Sequence, residues 1–418
     1  MQTSPILHHI TYLSSTAMTQ PDTITILNAA SHSDPYPYYA SLRQGPALAY
    51  EAEFKCWVAS RADVVQQVLE SATCAVRPTA ELVPSAIAGG SAGDIFAHLM
   101  RMNEGQPHTQ PKQVMQGALR QLDLSAIAAH TRQHAQTLST HYALDDGQGL
   151  NQYLFDLPIH VMGSTLGFRQ EALAMLATWM ADFVRCLSPL STPPQIETAH
   201  AAAQALQASF RQLLQDSTAK PDSFLARLQA DAQQQGWNNA DALLANLIGL
   251  LSQTYEATAG LVGNSIIALQ QRPDLLHGLC EESAKQPQSI KDLVAEVARH
   301  DAPVQNTRRF VTQACEIAGQ ALQAGDVIVV LLAAANRDES ANPDANNLQL
   351  DRPNRKVFSF GHARHACPGQ AIAEQISACS LHHLLTSSEI DWGKLSWTYR
   401  PSLNGRIPVF NHIPKETP

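Results

Sequence analysis

Phe358-Ser359-Phe360-Gly361-His362-Ala363-Arg364-His365-Ala366-Cys367-Pro368-Gly369 decides the reading of this chain. It is a glycine-punctuated loop that halts at Cys367 just before the helix-like run GQAIAEQISACSLHHLL. A thiolate there meets the positive end of a helix dipole and exposed backbone N–H groups, which lower its pKa and tune its electron donation. Those are the needs of a cysteine bound to iron. Two plainer readings of the same residues stand beside it. One is a lone buried cysteine; the other is a zinc site from His362, His365 and Cys367, for which no fourth ligand sits at a recognisable spacing.

The other cysteines narrow the setting. Cys56, Cys74, Cys186, Cys280, Cys315 and Cys379 make seven with Cys367, an odd and scattered set without a CxxC pair. Neither a disulfide framework nor a thiolate zinc ribbon follows, and a reducing cytoplasm fits. The chain has 418 residues, 44 % hydrophobic and 16 % charged, which suits a large folded core and not a disordered scaffold. With 28 basic against 37 acidic residues the net charge is −9, so neither nucleic acid nor an anionic membrane is an expected partner. No run of 18 to 20 apolar residues and no secretion signal occurs. Residues 1–20 read as a frayed tail, with Met18 a candidate start, and residues 21–418 as one domain.

Working outward from the loop, EFKCWVASRADVVQQVLES predicts a strand pair turning into a helix, and 80–105 a Gly/Ala/Ser-rich loop with short helical pieces. Helical patterns dominate from 115 to 300. The strongest spans Ala240 to Gln270, apolar on most faces except for a few central polar residues. At 1.5 Å per residue it is about 46 Å long and belongs in the middle of the fold. After Ala302-Pro303, RRFVTQACEIAGQALQAGDVIVVLLAAANRD predicts strand, turn, strand and a short helix, and the chain closes with strand-like pieces. The expected class is mainly α with a smaller β-rich part.

The cysteine loop resembles the heme-binding signature of the cytochrome P450 family, Phe-Gly-x-Gly-x-His-x-Cys-x-Gly, through Phe360, Gly361, His365, Cys367 and Gly369. The departure is Ala363 where the family usually has Gly. The resemblance implies the P450 fold of the soluble bacterial type, with heme b (iron protoporphyrin IX) buried between the long central helix and the cysteine loop. It makes Cys367 the axial iron ligand, whose thiolate pushes electron density onto the metal. A second motif agrees. Glu296 and Arg299, three apart on a helix, precede Pro303-Val304-Gln305, about 70 residues before the cysteine, and by resemblance form a structural brace beneath the heme. Arg337 and Asp351-Arg352-Pro353 are expected nearby.

The same resemblance assigns the heme propionates to His108, Lys112, Arg309 and His365, with Lys112 at a usual Arg position. Where the family's central helix has an acid followed by Thr, this chain has Gln253-Thr254-Tyr255-Glu256-Ala257-Thr258. Glu256 keeps the proton-relaying acid, while Ala257 replaces the Thr. Thr254, three residues earlier, is the better candidate for the missing hydroxyl. Gln253 adds an amide for a water or substrate group, and Thr258 is a weaker candidate whose hydroxyl can equally bond its own helix. Substrate contacts are expected from Leu82–Leu99, Phe183–Leu190, Gly249, Leu250, Gln253, Thr254, Val304 and Gln305.

The implied activity is a cytoplasmic, monomeric monooxygenase that oxidises, by hydroxylation first of all, a medium-sized natural-product intermediate, free or carrier-protein-bound. It would use O2 and electrons from NAD(P)H through a separate ferredoxin and ferredoxin reductase. The alternatives are desaturation, ring formation or oxidative coupling by the same chemistry, and a non-catalytic heme sensor or carrier.

Overall fold

The structure, a computed structural model, describes residues 24–217, 223–282, 287–386 and 390–412. The tail expected over residues 1–20 lies outside them. The central helix runs Ala240–Gln271 and starts at Asn239, whose side chain accepts from the Ala242 N–H. It packs against helices Gly147–Leu166, Gln370–Thr386, Ser91–His98 and Pro287–His300, so its all-round apolar surface is spent on neighbours from every side. Its glycines permit close approach. A Cβ on Gly249 would stand 2.6 Å from Leu99 Cδ2, and one on Gly263 2.5 Å from Pro408 Cγ.

The strands are β1 (Leu48–Glu51), β2 (Cys56–Ala59), β3 (Cys74–Ala75), β4 (Thr307–Val311), β5 (Cys315–Ile317), β6 (Gln320–Leu322), β7 (Val327–Val330), β8 (Leu395–Tyr399) and β9 (Pro408–His412). They build a five-stranded sheet in the order β1-β2-β7-β4-β3 and two hairpins, β5-β6 and β8-β9. β7, all four residues buried, lies at its centre, parallel to β2 and antiparallel to β4. The burial of both faces explains its unbroken apolar run. The segment expected as strand, turn, strand is richer. Ala318 and Gly319, with φ of 51° and 76°, close the extra hairpin β5-β6 between β4 and β7. Within the expected 80–105 loop, helix Ser91–His98 and the 3₁₀ turn Met100–Met102 form.

Among the described residues no helix is long and apolar enough to cross a membrane.

Candidate functional site

The cysteine loop is a tight backbone coil. Gly361 N–H donates to Phe358 O at 2.8 Å, Ala366 N–H to Ala363 O at 3.1 Å and Cys367 N–H to Phe360 O at 2.7 Å. Gly361 takes a φ of 73°, and a Cβ there would stand 2.9 Å from His365 O. Ala363 takes a φ of 52°, a left-handed conformation that suits the glycine usual in the resembling signature. The Cys367 thiol keeps accessible surface, yet burial pushes its pKa up, against the Gly369 N–H and the charge of Lys112, which favour the thiolate. Phe360, one residue before Gly361, packs against the main core.

Around this loop lies a cluster of basic side chains with Glu104 among them and Glu70 at its edge, 2.8 Å from His362. Glu104 Oε1 lies 3.1 Å from His365 Nε2, and its Oε2 3.0 Å from Arg364 Nε. Burial raises the Glu104 carboxyl, but these two partners outweigh it and hold the pKa at about 2. His108 meets His365 edge to face at 4.1 Å, and burial with the charge of His365 lowers its pKa to about 4. Arg309 is 4 % exposed, and burial lowers its pKa to about 10. His108 Nδ1 and Arg309 Nε are sealed from solvent without a hydrogen-bond partner. Orphaned buried donors and more cationic groups than acids suit a ligand with two carboxylates, so the residues present fit a heme with its propionates. Lys112 departs from its expected part. Its Nζ donates to Arg364 O and Ala366 O, both at 2.6 Å, and so clamps the cysteine loop instead of standing free for a propionate.

On the central helix Leu250, Gln253, Thr254 and Ala257 keep accessible surface, although most of their neighbours are buried. Spaced by three, one and three residues, they share one helix face, so this face borders an open space inside the fold. Gln253 Nε2 donates back to Gly249 O at 2.9 Å and Thr254 Oγ1 to Leu250 O at 2.7 Å, which leaves both side chains lone pairs to accept with. Glu256 borders this face. Its side chain keeps 46 % of its surface, yet burial raises its carboxyl, and Arg400 Nη1, 3.5 Å away, opposes that rise. Two expectations fail here. Thr258 is 1 % exposed with an unpartnered hydroxyl, so it neither reaches the open face nor bonds its own helix. Gln305 is fully buried and donates to Ala302 O at 2.6 Å, which removes it from any substrate contact, while Val304 stays half-buried and bridges Gly405. Phe183 is likewise core.

Glu296 and Arg299 form the centre of a buried ion cluster. Arg299 reaches Glu296 at 2.6 and 3.1 Å, and Arg352 and Arg355 add contacts at 3.0 and 2.8 Å. Arg299 also donates to Asn336 O, Ala345 O and Asn347 O, so one side chain gathers the strand-to-loop region before the cysteine loop. Arg337, expected nearby, donates to His300 O at 2.7 Å, next to Arg299 in the chain, and joins a second buried group. It stacks 3.3 Å over the Tyr36 ring, and Tyr36 Oη donates to Asp301, which also holds Arg406. Partners separated by hundreds of residues left no local signal for it. Arg355 and Glu104 were missed for the same reason.

A long apolar helix across the middle of the molecule, a five-stranded sheet at one side and a cysteine at the foot of a helix make up a mainly α fold with a smaller β-rich part. The Cytochrome P450 family model matches residues 194–392. The biotin biosynthesis cytochrome P450 of Bacillus subtilis (strain 168) is 24 % identical over 400 residues, covering 90 % of this chain and 96 % of the relative. The linalool 8-monooxygenase of Pseudomonas putida is 29 % identical over 272 residues, 64 % of this chain and 65 % of that one. Among solved structures, P450BioI in complex with hexadec-9Z-enoic acid ligated acyl carrier protein superposes with a TM-score of 0.77 at 21 % identity, covering 91 % of this chain and 98 % of the other. The chain belongs to the cytochrome P450 family and is a P450 monooxygenase enzyme.

Proposed function

We propose that residues 21–418 form one heme-thiolate domain that hydroxylates a medium-sized, partly apolar biosynthetic intermediate, with electrons from NAD(P)H through a separate ferredoxin and its reductase. The observation that carries this is the accessible Cys367 thiol, held between a coiled loop and a helix start, beside a basic cluster with orphaned polar atoms. When bound, heme supplies the activation of O2 and the oxidising power. Cys367 would hold the iron through its thiolate, which Gly369 N–H and Lys112 favour. His108, Arg309 and His365 would hold the propionates, with Glu104 orienting His365.

Leu250, Gln253, Thr254 and Ala257 form the wall where substrate and O2 meet. With no hydroxyl at 257, the Gln253 amide or the Thr254 oxygen holds a water, or a polar group of the substrate, in its place. Glu256, half-exposed beside this wall, relays protons toward it, and Arg400 keeps its carboxyl ionisable. Glu296 and Arg299 act only through structure.

The reduced, carbon monoxide-treated protein should absorb far to the red of a histidine-ligated heme, and Cys367→Ser or Cys367→Ala should abolish that band. A protein that takes up no heme overturns the proposal. Substrate-dependent NAD(P)H consumption with a ferredoxin chain separates the enzyme from a heme sensor. A carrier-bound substrate is the second reading, supported by the P450BioI complex with a ligated acyl carrier protein.

A further inference from the structure

Arg101 is a half-buried cation beside the central helix. Its Nε is sealed from solvent without a hydrogen-bond partner, and the side chain makes no ion pair among the described residues. Burial alone lowers its pKa, with no carboxylate near enough to offset it. The acid nearest in sequence, Glu104, is taken by His365 and Arg364. A guanidinium held this way is costly unless something outside the chain neutralises it.

Its neighbours place it on the substrate side. The preceding Met100 N–H donates to Asn246 Oδ1 of the central helix at 2.8 Å, and Asn246 Nδ2 holds His98 O at 2.9 Å. Leu99 lies against Gly249. Asn246 stands one helical turn before Leu250, in line with the open face that continues through Gln253, Thr254 and Ala257. The turn carrying Arg101 is thus pinned to the start of that face. It also stands apart from the propionate cluster: the charges that act most on His108, Arg309 and His365 include Glu104 and Arg364 but not Arg101.

We propose that Arg101 anchors a carboxylate of the substrate at the Asn246–Leu250 end of the pocket. This rests on the open face being the substrate side of the proposed heme site. One guanidinium with no second cation balances one negative charge, and its flat fork matches the two oxygens of a carboxylate better than a doubly charged phosphate. The other carboxylate in reach of such a site is a heme propionate.

The test uses the heme-loaded full chain and a chain-length series of ω-imidazolyl alkanoic acids with their methyl esters. The imidazole ligates the iron and reports binding by its spectral shift, whatever the natural substrate is. At the fitting length the acid should bind at least about tenfold tighter than its ester. That preference should vanish in Arg101→Gln and return in part in Arg101→Lys. Equal binding of acid and ester at every length overturns the proposal, and so does a preference that survives Arg101→Gln. Faster heme loss to apomyoglobin in Arg101→Gln, with the acid preference unchanged, makes the carboxylate a propionate and removes the substrate assignment. Arg101→Met should melt no lower than the wild type without added ligand, and a large drop would mark a structural arginine and overturn the proposal. A wild type that takes up no heme fails the underlying reading instead, before any ligand is added.

Discussion

Glu256 and Arg400 meet at 3.5 Å, Oε1 to Nη1, and Arg400 also lies 4.9 Å over the Phe155 ring. One arginine from the segment after β8 thus joins the central helix to helix Gly147–Leu166. Burial raises the Glu256 carboxyl and Arg400 lowers it, so the guanidinium sets how readily that acid gives and takes a proton.

Glu256→Gln should lower turnover at least about tenfold, with little change in substrate affinity. Arg400→Gln removes the opposing charge, so the Glu256 pKa should rise further and the acid limb of the rate-against-pH profile should move to higher pH. Steady-state rates of product formation across pH check both.

Ala257→Thr restores a hydroxyl on the open face, three residues from Thr254. Product formed per NAD(P)H consumed should change with the native substrate. An unchanged ratio and rate would show that Gln253 and Thr254 already replace the hydroxyl fully.

Ala363→Gly relieves a left-handed alanine at a φ of 52°. Strain of about 1–2 kcal/mol is removed, against about 0.5–1 kcal/mol of added unfolded-chain entropy. Urea unfolding should therefore show a small gain, on the order of 0.5 kcal/mol.

Glu296→Gln leaves Arg299, Arg352 and Arg355 without their shared charge. Loss of one partner in a buried ion cluster costs about 3–5 kcal/mol. Both urea stability and heme retention should fall, whereas Arg355→Met, which removes one of three cations, should cost less.

His160 and His300 are both held at a pKa of about 4 by burial, His160 also by His134 and His300 by Arg337. Unfolding returns each to about 6.5, so the unfolded chain binds more protons between those values. Stability should be full above about pH 6.5 and fall as pH drops toward 4. His160→Gln should flatten that slope in acid-titration unfolding curves, its size being at most about 3 kcal/mol per histidine.

The amino-acid sequence by itself determined the long central helix, because thirty residues apolar on most sides have no other way to be satisfied than burial. It also determined the coil before Cys367 and the Glu296–Arg299 pair, both of which rest on spacings of a few residues, whereas the strand pair expected from Glu53 onward is β2 alone, with β1 before it. Tertiary structure alone decided which polar groups face the site. Thr258 and Gln305 are polar residues beside the site in sequence, but packing seals one and bonds the other to the Ala302 carbonyl. Lys112 turns to the carbonyls of Arg364 and Ala366, and Glu104 joins His365 across some 260 residues. Arg101 is unpaired because the fold brings no carboxylate near enough to it. Local periodicity carries backbone form, whereas the partner of a charged side chain is set by which distant segments the fold brings within a few ångströms.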